Sequence, residues 1–186
     1  GLIFATLPGV FVSAAVVSTD APLLFFWSAA LYALVRLLEK SAPRWWLLLG
    51  AAIGLGMMAK YAMAFFALSL FLLVVVDRSA RATLLSRGGA TAAALAILIF
   101  LPNVIWNANH GFVTLAHTEA NANLGRSLFH PEALGEFLVS QLGVFGPILF
   151  LALIWLVVWR AGLLVRNPHR LLLLFAAPPL LMMIGL

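Results

Sequence analysis

The sequence predicts an all-α, polytopic transmembrane helical bundle with about seven membrane crossings. The chain of 186 residues is 65% hydrophobic and 9% charged, and its mean hydropathy is +1.12. A soluble domain carries about 25% charged residues. Apolar runs of roughly the length that spans a bilayer alternate with short polar or basic segments. The chain has no cysteine, which excludes disulfides and thiol chemistry.

Basic residues predict the orientation of the chain. Nine of the eleven Lys and Arg residues lie in three clusters between apolar runs. The clusters are Arg36, Lys40 and Arg44; Arg78, Arg81 and Arg87; and Arg160, Arg166 and Arg170. Short cytoplasmic loops collect Lys and Arg, so the clusters mark the cytoplasmic side. The net charge of +5 does not indicate nucleic-acid binding, because the basic residues form no continuous face.

The first three apolar stretches predict four helices. Residues 1–17 end at a polar triplet that includes Asp20, and residues 22–38 lead into the first basic cluster. Residues 45–76 would form a helix of about 48 Å, too long for a hydrocarbon core of about 30 Å. Because both ends of this stretch lie at basic clusters, we expect two short helices that meet near Lys60. Three glycines in the first of them permit close helix packing: Gly50, Gly54 and Gly56.

The second half of the chain predicts three further crossings around one long loop. Residues 88–106 return to the outer side, residues 137–159 lead back to the third cluster, and residues 171–186 leave again. A polar outer loop at about 107–136 joins the first two. We interpret residues 1–186 as part of one transmembrane domain. The chain begins and ends within apolar runs, so we expect it to be an internal piece of a longer protein.

Most other polar side chains fall on the outer side, opposite the clusters. Ionisable groups at membrane depth are costly and therefore candidates for function. The outer-side set is Asp20, Lys60, His110, His117, Glu119, Arg126, His130, Glu132 and Glu136, with amides at Asn103, Asn107, Asn109, Asn121 and Asn123. Asp20 precedes Pro22 and suits a helix N-terminus. It also suits a carboxylate that orients a substrate hydroxyl, a metal or a catalytic partner, and the two roles are compatible.

Lys60 lies in the middle of an otherwise apolar stretch. One interpretation is a lysine whose side chain reaches the interface from a helix end. The other is a cation between two short helices, beside Tyr61, that binds a lipid phosphate or pyrophosphate at the membrane surface. The residues themselves leave both interpretations open.

Segment 102–112 is rich in polar and aromatic side chains. Trp106 suits the aromatic belt at a membrane interface. Asn107, Asn109 and His110 are candidates to cap the end of a helix. Together with Trp106, they are also candidates to hydrogen-bond and stack against a sugar.

Two further features of the outer side concern ions. His110, His117 and Glu119 allow a divalent-metal site, but their spacing matches no strong zinc signature, so no cofactor is assigned. Arg126 is the second outer-side cation. It is placed either to pair with Glu119 or Glu132 or to hold a phosphate.

Four segments resemble the polytopic GT-C glycosyltransferases and, more narrowly, the dolichyl-phosphate-mannose protein mannosyltransferase-like family, which includes lipid A aminoarabinose transferases. Segment 18–27, STDAPLLFFW, resembles the family's Asp at the start of a helix. Segment 54–61, GLGMMAKY, resembles its Gly-rich helix ending in Lys. Segments 102–112 and 136–147 are similar to a later polar-aromatic segment and the helix that follows it.

The resemblance implies a GT-C-like fold in a bacterial inner membrane. It implies transfer of a hexosyl or pentosyl group from a polyprenyl-phosphate carrier to a hydroxyl of a lipid, glycan or protein acceptor. Transfer would occur on the extracytoplasmic side with inversion at the anomeric carbon. Asp20 would be an acidic residue of the active-site cavity, Lys60 would lie near the carrier phosphate, and 102–112 would border the cavity. The family's main catalytic base lies upstream of the segments matched here, so this piece is expected to be inactive alone.

A polytopic secondary transporter or lipid-carrier flippase is the alternative function. It would explain the many helices, the Gly-rich packing and the membrane-embedded Lys60. A transporter should carry ionisable groups near the midplane on several helices, whereas here they lie at one face. The predicted site has Asp20 as its catalytic residue and Lys60, Tyr61, Trp106, Asn107, His110 and Arg126 as substrate-binding residues.

Overall fold

The computed structural model describes residues 19–114 without a gap, together with residues 8, 135–136, 139–140, 142–143, 146–164, 171 and 174–179. The described part of the chain is helical and contains no strand, as predicted. Its helices are α1 Asp20–Glu39, α2 Pro43–Ala59, α3 Ala64–Val76, α4 Arg78–Leu84, α5 Arg87–Asn109 and α6 Pro147–Leu164. The chain divides into two compact units, one of residues 22–121 and one of residues 1–21 with 122–186.

Among the described helices, α1 and α5 are long and apolar enough to cross a membrane. Both coincide with predicted crossings. Large apolar side chains of α5 are exposed, including Ile97 and Leu98 at 65% each. Such a surface suits lipid better than water. The total of seven crossings stays a prediction.

The predicted helix break at Lys60 is confirmed. The Lys60 backbone is extended, and its N–H group donates to the Gly56 carbonyl oxygen over 2.9 Å, which ends α2. A single 3₁₀ turn, Tyr61–Met63, then leads into α3. The 17 residues of α2 and the 13 residues of α3 give helices of about 26 Å and 20 Å at 1.5 Å per residue. Each is shorter than the hydrocarbon core of a typical bilayer.

Helices α2 and α5 run parallel and pack through small residues. Gly50 lies against Ala92, where an added Cβ atom would come within 2.5 Å of the Ala92 carbonyl oxygen. One turn later, Gly54 lies against Ala96 and Ile99, at 3.0 Å and 2.8 Å from the corresponding added Cβ. Because both contacts shift by four residues in the same direction, the helices are parallel. The close packing predicted for the glycines is therefore confirmed, and it joins α2 to α5.

Two charged side chains, Asp77 and Arg81, hold the turn between α3 and α4. This turn lies at the second basic cluster, and we call the side of the helices that carries the basic clusters the basic end. The Asp77 carboxylate accepts from the Ala80 backbone N–H over 2.9 Å and caps α4. The Arg81 guanidinium donates to the carbonyl oxygens of Val74 and Val75 over 2.8 Å and 2.7 Å, at the C-terminus of α3. A cation in this position is favoured by the helix dipole.

The extent of α5 differs from the sequence prediction. The helix was expected over 88–106, yet it continues through Pro102 to Asn109. The first three residues of the predicted loop at 107–136 are thus its last turn. Proline removes one backbone donor from a helix, yet α5 continues beyond it. In the last turn the Asn107 side chain donates to the Asn103 carbonyl oxygen. Most of the predicted loop lies outside the described residues.

The expected helix over 137–159 is described continuously only as α6, from Pro147 to Leu164. Helical residues are also described at 135–136, 139–140 and 142–143. In the expected crossing at 171–186, residues 171 and 174–179 are helical, and the others lie outside the described part.

Candidate functional site

The parallel packing of α2 and α5 brings Tyr61 to Asn103. Gly50 and Ala92 are 42 positions apart, and so are Gly54 and Ala96, the pairs that meet in the interface. Tyr61, just beyond the end of α2, lies 42 positions before Asn103 and donates its hydroxyl hydrogen to the Asn103 Oδ1 atom over 2.6 Å. This short O–H···O bond connects the helix break to α5.

Asn107 lies one turn further along α5 and is buried, with 2% of its surface exposed. Its Nδ2 group donates to the Tyr61 hydroxyl oxygen and the Asn103 Oδ1 atom, both over 3.1 Å, and to the Asn103 carbonyl oxygen over 3.0 Å. Its Oδ1 atom accepts from the Thr114 backbone N–H over 3.3 Å. Both ends of this amide are therefore occupied. We call Tyr61, Asn103 and Asn107 the amide network.

The end of α5 folds back onto the same residue. The backbone N–H groups of His110 and Phe112 both donate to the Asn107 carbonyl oxygen, over 3.1 Å and 2.8 Å. Gly111 and Phe112 have φ angles of 67° and 57°, in the left-handed region. Phenylalanine rarely adopts such a φ, and the strain costs about 1–3 kcal/mol. The hydrogen bonds at Phe112 and Thr114 hold the segment in this conformation.

Trp106 and His110 form an exposed pair at the end of α5. Their rings stack with centroids 4.3 Å apart and an interplanar angle of 13°. The His110 Nδ1 atom lies 2.7 Å from the Trp106 carbonyl oxygen. A carbonyl oxygen only accepts, so Nδ1 carries the hydrogen, and in the neutral ring Nε2 remains as an acceptor. Trp106 is 50% exposed and presents an aromatic surface of the kind that stacks on ligands.

A cavity of about 280 Å³ lies beside the amide network. It is lined by Met57, Tyr61, Ala64, Phe100, Asn103, Val104, Asn107 and Phe112. Helices α2 and α5 both begin at basic clusters and run parallel, so the cavity lies at the opposite end of the pair. Lys60, which is exposed, directly precedes Tyr61. A mostly apolar cavity with a few polar groups is typical of a site for a small or amphipathic ligand.

The structure brings some of the predicted site residues together. Tyr61 and Asn107 bond directly, and Trp106 and His110 stack on each other. Asp20 is the first residue of α1, half-buried, and belongs to the other compact unit. Lys60 is exposed at the helix break and directly precedes Tyr61. Arg126 lies outside the described residues, as do His117, Glu119, His130 and Glu132.

Asn103 was predicted as an outer-side amide within segment 102–112 but not as a site residue, although its spacing of four residues from Asn107 places both on one helix face. That spacing was the available signal.

As for a metal, no group of three His, Cys, Asp or Glu side chains gathers within the described ranges. Two of the three residues considered for it lie outside those ranges.

The family model for dolichyl-phosphate-mannose-protein mannosyltransferases matches residues 1–106. The chain belongs to this family. The resemblance found in the sequence is therefore confirmed, and with it the assignment to the integral membrane proteins. The matched residues include Asp20, Lys60, Tyr61, Asn103 and Trp106.

The chain is also similar to lipid A galacturonosyltransferase RgtD of Rhizobium johnstonii. The two are 35% identical over 164 residues, which cover 84% of this chain and 33% of the relative. The chain thus spans about a third of the length of the curated relative that it matches. No solved structure matches the chain.

Proposed function

We propose that this chain is part of a membrane glycosyltransferase that moves a sugar from a polyprenyl-phosphate carrier to an acceptor hydroxyl on the extracytoplasmic side. The observation that carries the proposal is the family match over residues 1–106. That match spans the helix break at Lys60 and most of α5. The break and α5 together build the cavity beside the amide network.

The geometry of the cavity supports a lipid-linked donor. Its walls come largely from apolar side chains such as Met57, Phe100 and Val104. The amide network supplies polar groups at one side, and Lys60 adds a cation at the adjacent helix break. Apolar walls suit an isoprenoid chain, and a cation suits the phosphate to which it is attached. The two short helices leave a site at membrane level that a lipid can enter from the bilayer.

The chemistry assigns roles to the charged residues. Inverting transfer uses one carboxylate as a general base to remove the proton of the acceptor hydroxyl. A cation stabilises the negative charge on the departing phosphate. In this proposal Asp20 is a carboxylate of the active site, and Lys60 and Arg126 bind the phosphate. Trp106 and His110 provide a surface for the sugar. The family resemblance implies a main base upstream of the matched segments, and a divalent metal is compatible with the chemistry without being required by it.

The name of the relative narrows the candidate substrates. RgtD is described as a lipid A galacturonosyltransferase, so galacturonic acid is the first sugar to test and lipid A is the first acceptor. The bundle proposed for the intact protein retains about seven crossings within this chain. Its extracytoplasmic loop begins after α5 instead of at Asn107.

A transfer assay on the intact protein tests the proposal. The protein, reconstituted in vesicles, receives polyprenyl-phosphate galacturonic acid and lipid A, and mass spectrometry follows the product. We expect transfer by the wild type and none by Asp20→Asn or Lys60→Ala, with normal membrane insertion of both. Lys40→Ala, at the basic end, serves as the control and should transfer normally. Full activity in Asp20→Asn and Lys60→Ala would refute the site assignment.

A further inference from the structure

The donors and acceptors around Asn107 fix the orientation of its amide. The backbone N–H of Thr114 only donates, and it lies 3.3 Å from the Asn107 Oδ1 atom. The amide oxygen therefore faces Thr114, and the nitrogen faces Asn103 and Tyr61. The Asn103 carbonyl oxygen only accepts, and its position 3.0 Å from Asn107 Nδ2 requires the same orientation.

Asn107 in turn fixes the amide of Asn103. Two amide nitrogens cannot face each other, since both are donors, so Asn103 presents its oxygen to Asn107 Nδ2 at 3.1 Å. The Tyr61 hydroxyl donates to the same oxygen over 2.6 Å. The Nδ2 group of Asn103 is left at the opposite end of the amide. Within residues 19–114 and the other described positions, no acceptor bonds to it.

That nitrogen belongs to a side chain that lines the cavity. Asn103 is half-buried, and most of its neighbours in the cavity wall are apolar. An accessible donor on such a wall is available to a ligand oxygen, and the hydrogen bond would fix the ligand's orientation. The Tyr61 hydroxyl oxygen has two lone pairs and uses one of them for Asn107, which leaves a second polar point beside Asn103.

We propose that Asn103 is a ligand-binding residue whose Nδ2 group donates a hydrogen bond to an oxygen of the lipid-linked sugar, and that Asn107 is the positioning residue that orients it. The identity of the ligand rests on the proposed function. The oxygen belongs either to the carrier phosphate or to a sugar hydroxyl, because both accept hydrogen bonds. Asn107 is buried with both ends of its amide occupied, so it acts through Asn103.

Asn103→Asp in the intact protein tests the ligand contact. Aspartate keeps an oxygen that accepts from Tyr61 and Asn107, but it replaces the nitrogen donor with a second, negatively charged acceptor. Asn109→Asp is the matched control, because it makes the same change on the same helix at an exposed residue that does not line the cavity. Three constants are measured: the Kd of undecaprenyl phosphate without sugar, and KM and kcat for the sugar-loaded form.

The outcomes separate the two sources of the oxygen. A rise of about tenfold or more in the Kd of Asn103→Asp for bare undecaprenyl phosphate, with wild-type binding in the control, assigns the phosphate oxygen. An unchanged Kd with a raised KM for the sugar-loaded form assigns a sugar hydroxyl. Wild-type values for both in Asn103→Asp would overturn the contact and leave the proposed function intact. A wild-type protein that binds neither form would overturn both.

Asn107→Asp tests the positioning role. It retains the oxygen that accepts from Thr114 but loses the donor that orients Asn103. We expect the same rise in Kd or KM as in Asn103→Asp, while hydrogen exchange at the Thr114 amide stays as slow as in the wild type. Unimpaired binding in Asn107→Asp would overturn the positioning role. Fast exchange at Thr114 in this variant would also overturn it, since the loss would then reflect unfolding of the helix end.

Discussion

Trp46 of α2 lies against Gly88 of α5 so closely that a Cβ atom on Gly88 would collide with the indole ring. The indole Nε1–H donates to the Ser41 hydroxyl oxygen over 3.0 Å, which holds the ring over the glycine. Trp46 and Gly88 are 42 positions apart, the same separation as Tyr61 and Asn103 at the other end of the helix pair. The same separation of 42 positions therefore pairs α2 with α5 along their whole contact, from the basic clusters to the amide network.

Replacing a glycine of the α2–α5 contact by alanine should destabilise the protein. Gly50→Ala places a Cβ atom 2.5 Å from the Ala92 carbonyl oxygen, and backbone does not give way as a flexible side chain does. We expect a loss of about 1–3 kcal/mol in unfolding free energy. Thermal unfolding of the intact protein in detergent measures it. Gly143→Ala, where the added Cβ meets nothing within 4 Å, is the control. Equal melting temperatures of the two variants would contradict the packing described here.

The left-handed turn after α5 should depend on glycine for backbone reasons alone. A Cβ at Gly111 meets no atom within 4 Å, but the residue has a φ of 67°. Gly111→Ala should therefore cost about 1–2 kcal/mol and speed hydrogen exchange at the Phe112 and Thr114 amides. Gly135→Ala also adds a Cβ in open space, without a left-handed φ, and should leave that exchange unchanged. Slow exchange in Gly111→Ala would show that the turn does not need its left-handed conformation.

Removing the Tyr61 hydroxyl should weaken the amide network without disturbing the packing. Tyr61→Phe keeps the edge-to-face contact with Phe100, whose centroid lies 5.7 Å away, but loses the bonds to Asn103 and Asn107. A net loss of about 1 kcal/mol in unfolding free energy is expected. Tyr32→Phe is the control, because Tyr32 is 53% exposed at the basic end of α1. If Tyr61→Phe and Tyr32→Phe both have the melting temperature of the wild type, the network contributes nothing to stability.

The absence of cysteine from the chain allows a direct test of orientation. Single cysteines are introduced as Asn109→Cys at the end of α5 and as Ser79→Cys in α4, both exposed, with any cysteines elsewhere in the intact protein replaced. In whole cells, a maleimide that cannot cross the inner membrane should label Asn109→Cys and spare Ser79→Cys until the cells are lysed. Labelling of Ser79→Cys alone would reverse the orientation inferred from the basic clusters. Labelling of both would contradict their placement on opposite sides of the membrane.

The sequence predicted the features that depend on length and composition. The helix break at Lys60 followed because an unbroken helix over 45–76 would exceed the bilayer. The partner of Gly50 and Gly54 was not predictable, since nothing in one helix specifies the register of another. The amide network depends on that register and was missed for the same reason. The helix expected over 88–106 continues to Asn109, in a last turn where the Asn107 side chain also bonds the Asn103 carbonyl oxygen.

The most direct test of the central claim, that the cavity at the Lys60 break binds the lipid carrier, is photolabelling of the intact protein in membranes. The probe is a polyprenyl phosphate with a diazirine in its first isoprene unit, and mass spectrometry locates the attached label. We predict label on Met57, Phe100 or Val104, competed by unmodified undecaprenyl phosphate and reduced in Lys60→Ala. Competed label confined to other segments, with none on these three residues, would contradict the claim.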